Sequence, residues 1–125
     1  MEDRPISEPE ATVVEWLLKS ASVVGPLDHL VPSVPRLRVV GRCTCGCASV
    51  DFEPSGQAGG SRPIADAVGE AEPGKLCGLI LWGRDDAITG LEVYELSPGS
   101  NSTLPPVASL KPWDKAGGGR SGRAP

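Results

Sequence analysis

The feature that most limits what this chain can become is a pair of apolar runs with a turn between them. Leu76 to Trp82 is a continuous apolar stretch suited to a central strand, and Ile88 to Leu96 is a second run of strand type. Gly83-Arg84-Asp85-Asp86 separates them with turn composition, so the pair reads as a β-hairpin. In the second run Leu91 and Val93 alternate with Gly90, Glu92 and Tyr94. That is the period of a strand with one side in a core and the other towards water.

A helix precedes these strands. Ser7 stands three residues before Glu10, the capping-box spacing, with Pro9 tolerated in the first turn. Val13, Trp16, Leu17, Ala21 and Val24 follow at helical spacing, while Glu15, Lys19 and Ser22 fall mainly on the other side. Gly25-Pro26 is the expected stop. Leu27 to Val31 has room for a short helical turn, after which Pro32 and Pro35 should impose extended chain. Leu37 to Val40 begins a strand, and Ser49 to Glu53 continues or returns it with Val50 and Phe52 on one face.

Residues 54–74 are rich in Gly, Pro and Ser and read as a flexible internal loop, with a possible helical turn at Ile64 to Val68. The segment from Leu104 to Trp113 carries enough apolar groups to lie against the body, and 114–125 reads as a disordered Gly/Arg-rich tail. The expected fold is therefore α+β. One or two N-terminal helices pack on an antiparallel sheet of about four strands in a single domain spanning 7–113.

Charge narrows the partners. Lys111, Lys115, Arg120 and Arg123 against Asp114 give residues 111–125 a net +3, which leaves −7 on residues 1–110 of the total −4. An acidic body argues against a nucleic-acid surface, which needs clustered Lys and Arg to displace counterions. Its acidic sheet face is better suited to a basic protein partner. The charged start Met1-Glu2-Asp3-Arg4-Pro5 has no apolar stretch behind it, and no apolar run reaches membrane-spanning length. The expectation is a cytoplasmic chain with reduced thiols and no membrane partner.

Three cysteines occupy alternate positions in Gly41-Arg42-Cys43-Thr44-Cys45-Gly46-Cys47. On a straight strand successive thiols would sit about 7 Å apart, too far for all three to hold one ion. A zinc site on Cys43, Cys45 and Cys47 therefore needs a turn at Gly46, with Cys77 as fourth thiolate if its strand lies alongside and His29 as a weaker substitute. The bland reading is that the thiols pack as small apolar groups. A thiol redox pair is a third reading, with Arg42 beside Cys43 able to lower a thiol pKa. A cysteine nucleophile would need a base, and His29, the single histidine, lies in an ordinary helix-turn setting.

Other motifs dissolve on inspection. Gly69 to Leu76 fits most of a P-loop, but Leu76 replaces the magnesium-binding hydroxyl and Glu70 and Glu72 would face the phosphates. Gly117, Gly119 and Gly122 match a dinucleotide fingerprint with no strand before it. The acids Asp51, Glu53, Asp85, Asp86, Glu92 and Glu95 fit a solvent-facing sheet surface better than a proton-transfer pair.

Several strings together carry a resemblance: Val39 to Cys47, Ser49-Val50-Asp51-Phe52, Gly78-Leu79-Ile80-Leu81-Trp82, Leu91-Glu92-Val93-Tyr94, and Leu104-Pro105 with Pro112-Trp113. Over residues 10–113 the chain resembles a group of small bacterial proteins of GC-rich genomes that share a C-x-C-G-C segment and an L-E-V-Y strand. That resemblance implies a bacterial cytosolic domain and assigns no catalytic residue. The leading expectation is a non-catalytic protein-interaction domain that binds through its sheet face or the 54–74 loop, by fold-level analogy an immunity-type inhibitor of a basic effector. A zinc-binding domain and a thiol redox protein are the alternatives.

Overall fold

The N-terminal helix forms where its cap places it. A computed structural model describes residues 3–42, 46–53 and 60–113. In it α1 spans Glu8–Ser20. The Ser7 hydroxyl accepts the Glu10 N–H at 3.3 Å, and the Glu10 carboxylate accepts the Ser7 N–H at 3.0 Å, closing a capping box. Arg4 donates to both Glu10 oxygens at 3.0 and 2.9 Å. Burial works against ionisation of Glu10, but the hydrogen bonds from Arg4 and Ser7 outweigh it and hold the carboxyl below its ordinary range.

The helix ends at Ser20, short of Gly25-Pro26, because the next peptide groups are taken by a strand. Asp66 N–H donates to Ala21 C=O at 3.2 Å, and Val23 N–H donates to Ile64 C=O at 2.9 Å. Val24 is accordingly exposed rather than part of the apolar stripe. A 3-10 segment then runs Asp28–Arg36, straight through Pro32 and Pro35, where extended chain was expected. Proline fixes φ near a helical value, so short 3-10 turns accommodate it.

Among the described residues seven strands, rather than about four, make one antiparallel sheet. They are β1 (Arg4–Pro5), β2 (Arg38–Arg42), β3 (Val50–Phe52), β4 (Arg62–Glu72), β5 (Lys75–Arg84), β6 (Ala87–Glu95) and β7 (Lys111–Pro112). Their order is β1-β2-β3-β6-β5-β4-β7. The hairpin β5–β6 turns at Asp85-Asp86, as its composition indicates, with Arg84 opposite Ala87.

The largest correction is β4. Residues 62–72 fall within the expected 54–74 loop, and Ile64 to Val68 is strand rather than helical turn. Composition hid it, because Ala65, Ala67 and Gly69 are small residues on the side facing the core, where bulk is excluded. Gly74, with φ +81°, makes the tight connection from β4 to β5. Residues 54–59 and 114–125 lie outside the described residues, and with them part of the expected loop and the expected tail.

One face of the sheet is covered. Leu79 and Leu81 of β5, Leu91 and Val93 of β6, and Phe52 of β3 pack with Val14, Leu17 and Leu18 of α1 and with Leu30 and Val34 of the 3-10 segment. Near Gly69 the cover is Pro105 and Leu110, which lie either side of a 3-10 turn at Val107–Ser109. An added Cβ on Gly69 would stand 2.8 Å from both side chains. Among the described residues no helix is long and apolar enough to cross a membrane.

Two outcomes check this packing. Gly69→Ala should lower stability by about 1–3 kcal/mol, because Pro105 and Leu110 must move; an unchanged urea midpoint would contradict the fit. Glu10→Ala should cost about 1 kcal/mol near neutral pH. Because the folded pKa of Glu10 is depressed, its contribution is complete above the unfolded value of about 4.3 and is lost as pH falls through the folded value. The gap between wild type and variant should therefore close on acidification, and a gap constant with pH would refute the role of the charge.

Candidate functional site: the outer face of the sheet

Strand periodicity sends every second side chain of β4, β5 and β6 away from α1. Three cross-strand rows result. The first runs Gly41, Asp51, Gly90, Trp82 and Pro63, each opposite the next. A second joins Glu92, Ile80 and Asp66. In the third, Tyr94, Gly78, Val68 and Lys111 lie side by side. Val68 and Ile80 are buried yet stand apart from the main core, which marks this as a second apolar surface.

Glycines shape this surface. At Gly78 a Cβ would fall 2.1 Å from the Tyr94 ring, so the ring lies directly over that backbone. Such cross-strand covering of a glycine by an aromatic ring restores packing that glycine lacks. Trp82 Nε1–H donates to Glu92 Oε1 at 3.0 Å, which ties the indole to the second row. Asp51 sits between two glycines. Its Oδ2 is 3.0 Å from the position of a Cβ on Gly41, and its Oδ1 is 3.5 Å from one on Gly90.

Of the acids read from sequence, Asp51 and Glu92 share this face. The others do not join them. Asp85 and Asp86 form the hairpin turn, where Asp86 meets His29 at 3.4 Å in solvent. Glu95 accepts the Gly99 N–H at 2.8 Å, and Glu53 follows the end of β3. Asp66, 4 % exposed within the second row, is not among the acids read from sequence, because its strand has the composition of a loop. Alternation in Ala65-Asp66-Ala67-Val68 was the signal that could have found it.

At the end of the face formed by β4, β5 and β7, an open groove of about 480 Å³ is bordered by Val68, Leu76, Leu96 and Trp113, with Glu70, Ser109 and Lys111 on its rim. Leu76 and Leu96 are 43 % and 45 % exposed.

The cysteines are placed as follows. Cys43 and Cys45 lie outside the described residues. Cys47 is a buried free thiol. It precedes Ser49, whose hydroxyl accepts the Val93 N–H at 2.8 Å and donates to the Val93 C=O, extending the pairing along β6 beyond β3. Cys77 is fully buried on β5 among the core residues. Burial pushes its thiol above the ordinary range, with a partial offset from a Gly69 backbone hydrogen bond. β3 and β6 stand between β2, which ends at Arg42, and the β5 strand that carries Cys77. Among the described residues no three His, Cys, Asp or Glu side chains gather at one point. His29 pairs, among the described residues, with the exposed Asp86 and with no thiol.

Comparison with protein-family models, curated proteins and solved structures finds no match to this chain.

Tyr94 is the single tyrosine, so its ring resonances are unambiguous. Gly78→Ala should drive that ring off the backbone and remove the ring-current shift expected on the residue-78 α-proton; an unmoved ring would contradict the stacking. Cys77 should resist alkylation in the folded chain and react only on unfolding. Rapid native labelling of Cys77, read by peptide mass spectrometry, would contradict its core position.

Proposed function

We propose that this chain is a non-catalytic protein-interaction domain that binds a basic partner through the outer face of its sheet. The observation that carries the reading is the pairing of acid and aromatic groups there: Asp51 and Glu92 stand on a surface whose bulk comes from Trp82, Tyr94, Ile80 and Val68. Aromatic groups supply contact area at low entropic cost, and carboxylates select a cationic partner and speed its encounter. The net −7 of residues 1–110 acts in the same direction. An inhibitor of a basic effector protein is the kind of role this chemistry suits. Zinc binding at Cys43, Cys45 and Cys47, with Cys77 as fourth ligand, stays a secondary reading.

Co-purification from cells expressing the chain tests this. A basic protein should be retained by wild type at low salt and lost from an Asp51→Asn, Glu92→Gln double variant. Retention unaffected by that variant, or no retained protein, would contradict the reading.

A further inference from the structure

The face carries a more specific assignment, which rests on the interaction reading above. We propose that the outer face docks a basic segment of a protein partner by seating an arginine side chain on Asp51, over Gly41 and Gly90 and beside Trp82.

The first ground is shape. Asp51 lies in a row with a glycine on each side, so neither cross-strand neighbour in the row brings a side chain beside it. Gly41 and Gly90 are two strand spacings apart, about 10 Å, which admits a planar guanidinium between the flanking positions. The two carboxylate oxygens lean towards opposite glycines, and among the described residues no side chain or backbone N–H donates a hydrogen bond to either. Both oxygens can therefore accept from one incoming fork.

The second ground is the indole. Trp82 is next in the row, its Cβ 4.0 Å from where a Cβ on Gly90 would be. The hydrogen bond to Glu92 holds the ring, so little freedom is lost when a flat group packs on it. Guanidinium both pairs with a carboxylate through two parallel N–H bonds and stacks on aromatic faces. An ammonium is compact and strongly hydrated, and makes neither the two-bond pair nor a planar stack. Charge complementarity selects a cation, and the Gly-Asp-Gly-Trp row selects the planar one.

The test is an NMR titration of the isotope-labelled full chain with an acetylated, amidated Gly-Ser-Arg-Ser-Gly peptide and its lysine counterpart. The arginine peptide should shift the Gly41, Asp51 and Gly90 amides and the Trp82 indole N–H. Its binding should be several-fold tighter than the lysine peptide's and should weaken with added salt. Asp51→Asn should weaken it by about tenfold, in a variant whose free spectrum otherwise overlays that of wild type; if that variant is misfolded, Trp82→Phe and the salt dependence decide. Shifts at the Glu70–Lys111 groove or along α1, equal responses to both peptides, or binding unchanged in Asp51→Asn would overturn the assignment. Loss of the peptide effect with the co-purification intact would remove only the arginine anchor; loss of both would remove the interaction reading itself.

Discussion

Small residues on the core side of β4 set how closely the covering layer can lie on the sheet. Ala65 and Ala67 are fully buried, and Gly69 has Pro105 and Leu110 where a side chain would be. That closeness lets the chain after α1 hydrogen-bond to the strand. Residues 21–23 pair with β4 near Ala65, β7 pairs at Ala67 and Val68, and the Ser109 hydroxyl accepts the Glu70 N–H. Together they occupy the edge of the longest strand, which would otherwise be a template for pairing with another chain.

The same alternation creates the outer face. With Ala65, Ala67 and Gly69 turned to the core, Asp66 and Val68 must turn away, and β5 and β6 follow in register with Ile80, Trp82, Glu92 and Tyr94. Glycines opposite Tyr94 and on either side of Asp51 keep that face low in places and crowded in others. The proposed interaction reading rests on this face, with its hydrogen-bonded indole and half-buried carboxylates. The Cys77 thiol belongs to the other side, where burial raises its pKa and it packs among the core residues.

Much of this was legible in the residues. The capping box at Ser7 and Glu10, the β5–β6 hairpin and the alternation of β6 each depend on local spacing, and each appears where the sequence puts it. β4 was not legible, because alanine and glycine carry no β signal of their own; their strand state is imposed by neighbours on both sides. β1 and β7 are two residues long and exist only through tertiary pairing. On the outer face, Glu92 and Tyr94 could be placed by period two, but the approach of Trp82 to Glu92 needed the cross-strand register. The significance of Gly41 and Gly90 likewise emerges only when Asp51 is seen between them.

The central claim is that the sheet's outer face, and not its helical side, meets the partner. Zero-length carbodiimide coupling of the chain to its co-purified partner reads this directly, because it joins carboxylates to amines in contact. The account predicts cross-links from Glu92 to partner lysines and none from Asp51, whose seated guanidinium does not couple. Cross-links confined to Glu8, Glu15 and Asp28, on the helical side of the molecule, would contradict it.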